Sequence, residues 1–354
     1  MKTQRSLQNS RLLLLFLSIV LFNCSSQKEN DSPEPESQMG CKLSAITFEN
    51  SETDESGNII VRTKERLKHE YDDKLKLIST DQASERWEND TLVSTRAYRN
   101  DYQYNTDDFL TGNIVNLEES MLQNGQLITT KTGSKNAYQY QNQKLTGNTS
   151  KSFTGADTTG TSTQTLEYSS KGQLIKKTST TPNNKITSIF TNGILTSHEE
   201  SNPVYPQKIT LNAQGFQSIV TSIFSGIKTE SRNIYDSRGN LTKAEFYINS
   251  TLSSYVTYSY GSTNMQNKAV FQFKGHPIIP SIIGSNANLI SKTESFTKDK
   301  NSGFRKAMET TFEYDFNASG HYSALRITGK YFDEKGNIYK TSKGTQTMSY
   351  VGCL

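Results

Sequence analysis

The sequence predicts an all-β protein: one long, twisted or curved antiparallel sheet, a meander of similar hairpins, partly wrapped on itself. Three observations predict it. An aromatic–Asp turn closed by Gly recurs along most of the chain, and a shorter Asn-centred turn interleaves with it. Hydrophobic residues make up only 32% of the 354 residues, too few for a thick two-sided core. A sheet with one apolar and one wet face fits that composition, as does the frequency of Tyr and Thr, both strand formers.

The clearest turn is Tyr235-Asp236-Ser237-Arg238-Gly239-Asn240-Leu241. Asp at the first turn position accepts backbone N–H bonds from residues further on, and Gly takes the left-handed conformation without a Cβ penalty. Copies stand at Tyr71-Asp72, Tyr168-Ser169 and Phe332-Asp333, with variants at Asp54–Ile59 and Leu211–Phe216. The shorter turn stands at Asn89-Asp90, Asn124-Gly125, Asn142-Gln143, Asn192-Gly193 and Asn249-Ser250, the strongest short-range hairpin signal where Asn precedes Gly. Successive turns fall roughly 16–24 residues apart, two short strands per unit.

In chain order, Lys2, Arg5 and Arg11 precede an apolar run from Leu12 to Phe22. That reads as a secretory signal over residues 1–23, too short for a spanning helix. Removing it takes the formal net charge from +4 to +1, which gives no footing for nucleic-acid binding. Residues 24–40 are polar, with Pro33 and Pro35, and read as a flexible tether. Residues 41–354 form a single β-repeat domain. Leu43 to Arg66 holds the opening strands. Trp87, the only Trp, precedes the Asn89 turn and either packs there, covering the sheet edge, or meets a ligand. Gly147 to Thr165 is Ser/Thr/Gly-rich and reads as a mobile hairpin tip or an insertion. Leu166 to Tyr260 is the most regular stretch. The period then breaks: residues 276–290 hold Pro277, Pro280, Ile278, Ile279, Ile282 and Ile283. They read as a short irregular or helical insertion laid over an apolar face, or a lid against a ligand. Strands resume at Ser291.

The turn pattern resembles the YD repeats of RHS-type proteins and Bacteroidota outer-membrane lipoproteins of unknown function with degenerate YD-like hairpins. The resemblance covers about Ser44 to Tyr350, although only Tyr71, Tyr235 and Phe332 keep the aromatic–Asp pair; Tyr314-Asp315 begins a looser version reaching Gly320. In long RHS proteins such repeats wind into a hollow shell; this array reads as too short to enclose a cargo. Leu21-Phe22-Asn23-Cys24 resembles a bacterial lipobox, which implies cleavage before Cys24, lipidation there and membrane attachment through the lipid. Ser25–Asp31 looks like signals for the outer cell surface, and Asp157-Thr158-Thr159 and Asp90-Thr91-Leu92 resemble O-glycosylation sites of exported proteins. With Cys24 lipidated, Cys41 and Cys353 remain; in an oxidising compartment they are expected to pair and tie the last strand to the first, the alternative being two buried thiols.

The residues point to no chemistry. None of His69, His198, His276 and His321 has a His or Cys at metal-ligand spacing, and no cofactor is implied. His198-Glu199-Glu200-Ser201-Asn202 stops short of a zinc-protease motif and reads as a solvated connection. Acidic pairs such as Asp107-Asp108 and Glu118-Glu119 read as solvated turns. The expected function is a non-catalytic, lipid-anchored envelope scaffold binding a glycan, a peptide or another envelope protein. The alternatives are a carrier or chaperone for hydrophobic ligands and a glycosidase-like enzyme.

Overall fold

The structure, a computed structural model, describes residues 42–352 except 193, 202–206, 225, 265–273, 275, 277–287, 300–302 and 319. Twenty strands follow in order: β1 (Lys42–Thr53), β2 (Ile59–Tyr71), β3 (Leu77–Glu88), β4 (Thr91–Tyr104), β5 (Leu110–Gln123), β6 (Gln126–Gln141), β7 (Lys144–Thr154), β8 (Asp157–Tyr168), β9 (Leu174–Thr181), β10 (Asn184–Thr191), β11 (Ile194–Ser201), β12 (Gln207–Leu211), β13 (Gln217–Phe224), β14 (Ile227–Tyr235), β15 (Leu241–Ile248), β16 (Thr251–Asn264), β17 (Asn288–Lys298), β18 (Phe304–Phe316), β19 (Tyr322–Phe332) and β20 (Ile338–Val351). Each pairs antiparallel with its sequence neighbours, and β1 pairs with β20 from Lys42↔Val351 to Thr53↔Thr341. The sheet is therefore a closed up-and-down barrel, not the open or partly wrapped ribbon that the turns alone suggest. It has no free edge for Trp87 to cover. Local turn chemistry fixes neighbour pairing but carries no signal for the long-range β1–β20 ladder.

The expectation that the array is too short to enclose anything also fails. At ordinary strand spacing and tilt, a round barrel of twenty strands is about 40 Å across, too wide for side chains to fill. Among the described residues there is no helix, and Asn288 to Ile290 already belong to β17 rather than to an irregular insertion. Gly147 to Thr165 is a regular hairpin of β7 and β8: the Ser/Thr content that reads as a loop is tolerated because both faces of this wall are wet.

The connections after even-numbered strands share one rim with both chain ends, and those after odd-numbered strands share the other. The first rim repeats one device. Asp72, Asn105, Asn212 and Asp236 each accept two backbone N–H bonds through Oδ1, from the residues two and four further on, at 2.8–3.0 Å. A tyrosine ends the preceding strand and donates its hydroxyl to a carbonyl near the start of the strand before. The pairs are Tyr71 to Leu43, Tyr104 to Leu77, Tyr140 to Leu110, Tyr168 to Leu145, Tyr235 to Gln217, Tyr260 to Leu241, Tyr314 to Ile290 and Tyr350 to Tyr322, at 2.6–3.0 Å. The aromatic of the sequence motif is thus a latch between strands. The looser Tyr314 version turns on Asn317, whose Oδ1 accepts the His321 N–H, while Asp315 pairs with Arg326 instead. In the shorter turns both central residues have positive φ, as at Asn142 (51°) and Gln143 (63°), the type I′ geometry that matches strand twist.

The two faces differ. The inner face holds a buried cluster of Phe48, Leu325 and Ile327 flanked by Phe312 and Tyr314. Gly344 lies under Phe48, where an added Cβ would come within 3.0 Å of the ring. The outer face carries ion pairs round the wall: Lys64–Glu49 (3.2 Å), Arg99–Asp81 (3.2 Å), Lys131–Glu118 (3.0 Å), Lys176–Glu167 (2.8 Å), Lys292–Glu294 (3.1 Å) and Arg326–Asp315 (2.6 Å). Exposed pairs of this kind add little stability, but they leave this face charged.

Candidate functional site

The lumen wall formed by β2 to β6 carries a connected set of amides, hydroxyls and rings. Register places it: Thr80 opposes both His69 and Asn100, and Asn113 opposes both Tyr102 and Asn136. Alternation sends all of these side chains to one face. Asn113 donates through Nδ2 to Asn100 Oδ1 at 2.6 Å, and the Tyr138 hydroxyl donates to Asn113 Oδ1 at 2.8 Å. His69 Nδ1 lies 3.0 Å from Thr80 Oγ1. Burial raises the Tyr98 and Tyr102 phenols, although hydrogen bonds to Asn100 favour the ionised form. Burial also raises the Tyr138 phenol, to about 12. The phenols are therefore protonated at physiological pH and present hydrogen-bonding and stacking surfaces.

Lys274 and His276, in the connection after β16, reach this wall. The His276 ring packs against Tyr138 and Tyr140, with centroids 5.4 and 5.9 Å away. Lys274 donates to the Asp107 carbonyl at 3.0 Å and lies over the Phe109 ring. Since β6 stands ten strands from β16 in a ring of twenty, the chain between Asn264 and Asn288 touches the opposite wall at these two residues. His276 Nε2 is 2.7 Å from the Tyr140 hydroxyl, whose proton is given to the Leu110 carbonyl. Burial pushes the imidazole down to about 4, so the ring is neutral at physiological pH.

Of the residues singled out in the sequence, Trp87 faces outward, with the Arg62 guanidinium 4.7 Å from its ring centre. It is part of the outer surface, not the lumen wall. Cys24, Cys41, Cys353, Ile278, Ile279, Ile282 and Ile283 lie outside the described residues; the strands that Cys41 and Cys353 flank do pair. His198 is not on a solvated connection but in β11, on the inner face, with Nδ1 3.0 Å from Ser188 Oγ. Sequence reasoning missed Asn100, Asn113 and Tyr138. The parity that Asn100 shares with Tyr102 and Tyr104, and Tyr138 with Tyr140, is visible in the sequence; Asn113 joins them only through the strand register, and which parity faces inward follows only from closure.

No family model matches the chain, and no curated protein matches it. Among solved structures, it is similar to a porin-like protein from Bacteroides uniformis ATCC 8492, with 14% identity and a TM-score of 0.36 over 87% of this chain and 97% of that one. It is also similar to a porin-like protein from Bacteroides vulgatus ATCC 8482, with 11% identity and a TM-score of 0.25 over 88% and 99%.

Proposed function

We propose that the protein is a non-catalytic, lipid-tethered shell of the outer membrane, standing in water on the cell surface and holding a polar, hydroxyl-rich ligand such as a glycan in its lumen. The carrying observation is the distribution of charge. A strand barrel that spans lipid presents an apolar band about 25 Å tall, and each Lys or Arg at its midplane costs about 2–4 kcal/mol. The outer face here has Arg62, Lys64, Arg66 and Lys68 on one strand alone. Membrane attachment is then the task of the lipid on Cys24, with residues 25–40 as the tether and a Cys41–Cys353 bridge locking the closing strands. The amides and tyrosines of the β2–β6 wall favour a saccharide over an acyl chain, since hydroxyls satisfy amide groups and sugar faces stack on rings.

The test is the behaviour of Cys24→Ala in the full chain. The variant loses incorporation of labelled palmitate and is recovered in the soluble fraction without detergent. A variant that still needs detergent for extraction would establish a lipid-spanning barrel and end the tethered-shell reading. Non-reducing peptide mapping that finds Cys41 and Cys353 both free would remove the bridge.

A further inference from the structure

A second patch of the inner face lies on β8 to β11, away from the amide–tyrosine wall. Four opposed residues form one row across four strands: Leu166, Lys177, Ser188 and His198. Leu166 and Ser188 are 5% and 7% exposed, so the row sits in the wall rather than on its rim. Lys176, the next residue, points outward and pairs with Glu167. Lys177 has no ion pair among the described residues, and burial lowers its pKa. An ammonium left half-buried without a carboxylate is a site awaiting an anion.

The neighbours complete that site. Ser188 Oγ and His198 Nδ1 are 3.0 Å apart. If Nδ1 accepts from the serine, the His198 Nε2–H remains as a donor. If Nδ1 donates, the serine O–H remains. Either tautomer leaves one donor beside the Lys177 charge. The acid nearest in register is Glu200, held by the Asn184 Nδ2 at 2.6 Å. It keeps His198 more readily protonated, whereas burial and Lys177 act the other way. Asn184 leaves its Oδ1 buried without a partner, an acceptor about 13 Å along β10 from Ser188. A lone unsatisfied acceptor is unfavourable, and a sugar hydroxyl would satisfy it.

We propose that Lys177, Ser188 and His198 form an oxyanion subsite for the carboxylate of an acidic saccharide, with Asn184 receiving a hydroxyl two or three sugar units away. The proposal rests on the lumen reading above and specifies its ligand. The test uses the purified full chain with three probes: inorganic sulfate, trigalacturonate and a neutral trisaccharide. Sulfate is expected to move the His198 ring-proton resonance, assigned through His198→Gln. Lys177→Met weakens that response at least tenfold, and Lys176→Met leaves it unchanged. Trigalacturonate binds at least tenfold more tightly than the neutral trisaccharide, and Lys177→Met abolishes the difference. No response to sulfate, or equal responses in the two lysine variants, overturns the subsite even where neutral sugars bind and the lumen reading stands. Sulfate binding without preference for trigalacturonate shows an isolated ion site and overturns the saccharide assignment.

Discussion

The wall around the chain ends and the wall opposite are built unequally. At the closure, β1 and β20 pair from Lys42↔Val351 to Thr53↔Thr341, and β2 and β3 are thirteen and twelve residues long. Across the ring, β9, β10 and β11 are each eight residues and β12 is five. There, among the described residues, the β11–β12 pairing is Glu199↔Lys208. The join that the chain makes last in sequence is thus strongly made, and the thin place is in mid-chain. A barrel of this kind needs its ends fastened because nothing covalent in the backbone connects them, while a mid-chain gap is bridged by the chain itself. The thin wall is also where the Lys177 row sits.

The largest test of this contrast is truncation in the closure wall. Leu325 is 1% exposed within the Phe48–Ile327 cluster. Leu325→Ala is expected to cost about 2–5 kcal/mol of global stability in denaturant titration. Hydrogen exchange on the unmodified protein should then find the slowest amides in β1, β2 and β20 and the fastest in β9 to β12. Uniform protection around the ring would erase the distinction between the walls.

A smaller effect is expected at the turn that fastens the thin half to the thick half. Asp236 Oδ1 accepts the Arg238 and Asn240 N–H groups, and its Oδ2 holds the Asn240 side chain. Asn240 in turn bonds to Asn288 on β17, at 3.2 Å through side chains and 3.0 Å to the Asn288 N–H. Asp236→Ala should cost about 1–2 kcal/mol and loosen Asn288. Asp333→Ala, in an exposed turn that makes the same bonds locally, should cost less. Equal losses would mean that the link to β17 contributes nothing.

How legible this was in the sequence differs by level. Tyr235-Asp236 and Asn124-Gly125 announce their hairpins because one turn's hydrogen bonds are local to a few residues. Tyr104-Asn105 is harder to read, since Asn replaces Asp and Asp108, at φ 66°, replaces the closing Gly. Closure and lumen were not legible, because they depend on β1 meeting β20 and on which parity turns inward. The Lys177 row was unreadable for the same reason: its members are 10 or 11 residues apart, and only the registers of three hairpins bring them together.

On the thick wall, His69 gives a pH signature. Burial pushes its imidazole down to about 4, so the unfolded chain takes up the proton more readily than the folded one. Stability therefore falls as pH drops through the ordinary imidazole range and stops falling on this account below about 4. His69→Asn should flatten that part of the stability–pH curve between about pH 6.5 and 4. A variant curve parallel to the parent's would show that the site is wetter than its place beside Thr80 implies.

The smallest expected change is a gain in a turn outside the thin wall. Ser250 stands at φ 65° in the turn between β15 and β16, following Asn249 at 48°. A side chain in that region costs up to about 1 kcal/mol relative to glycine, offset in part by the greater freedom glycine has when unfolded. Ser250→Gly should therefore raise stability by a few tenths of a kcal/mol, read as a small shift of the denaturation midpoint. The same exchange at Gln143, φ 63° in the turn between β6 and β7, is the matched case on the other side of the thin wall. Both turns lie outside that wall, so the two gains should be equal. Unequal gains would mean that the looseness of the thin wall reaches one turn and not the other.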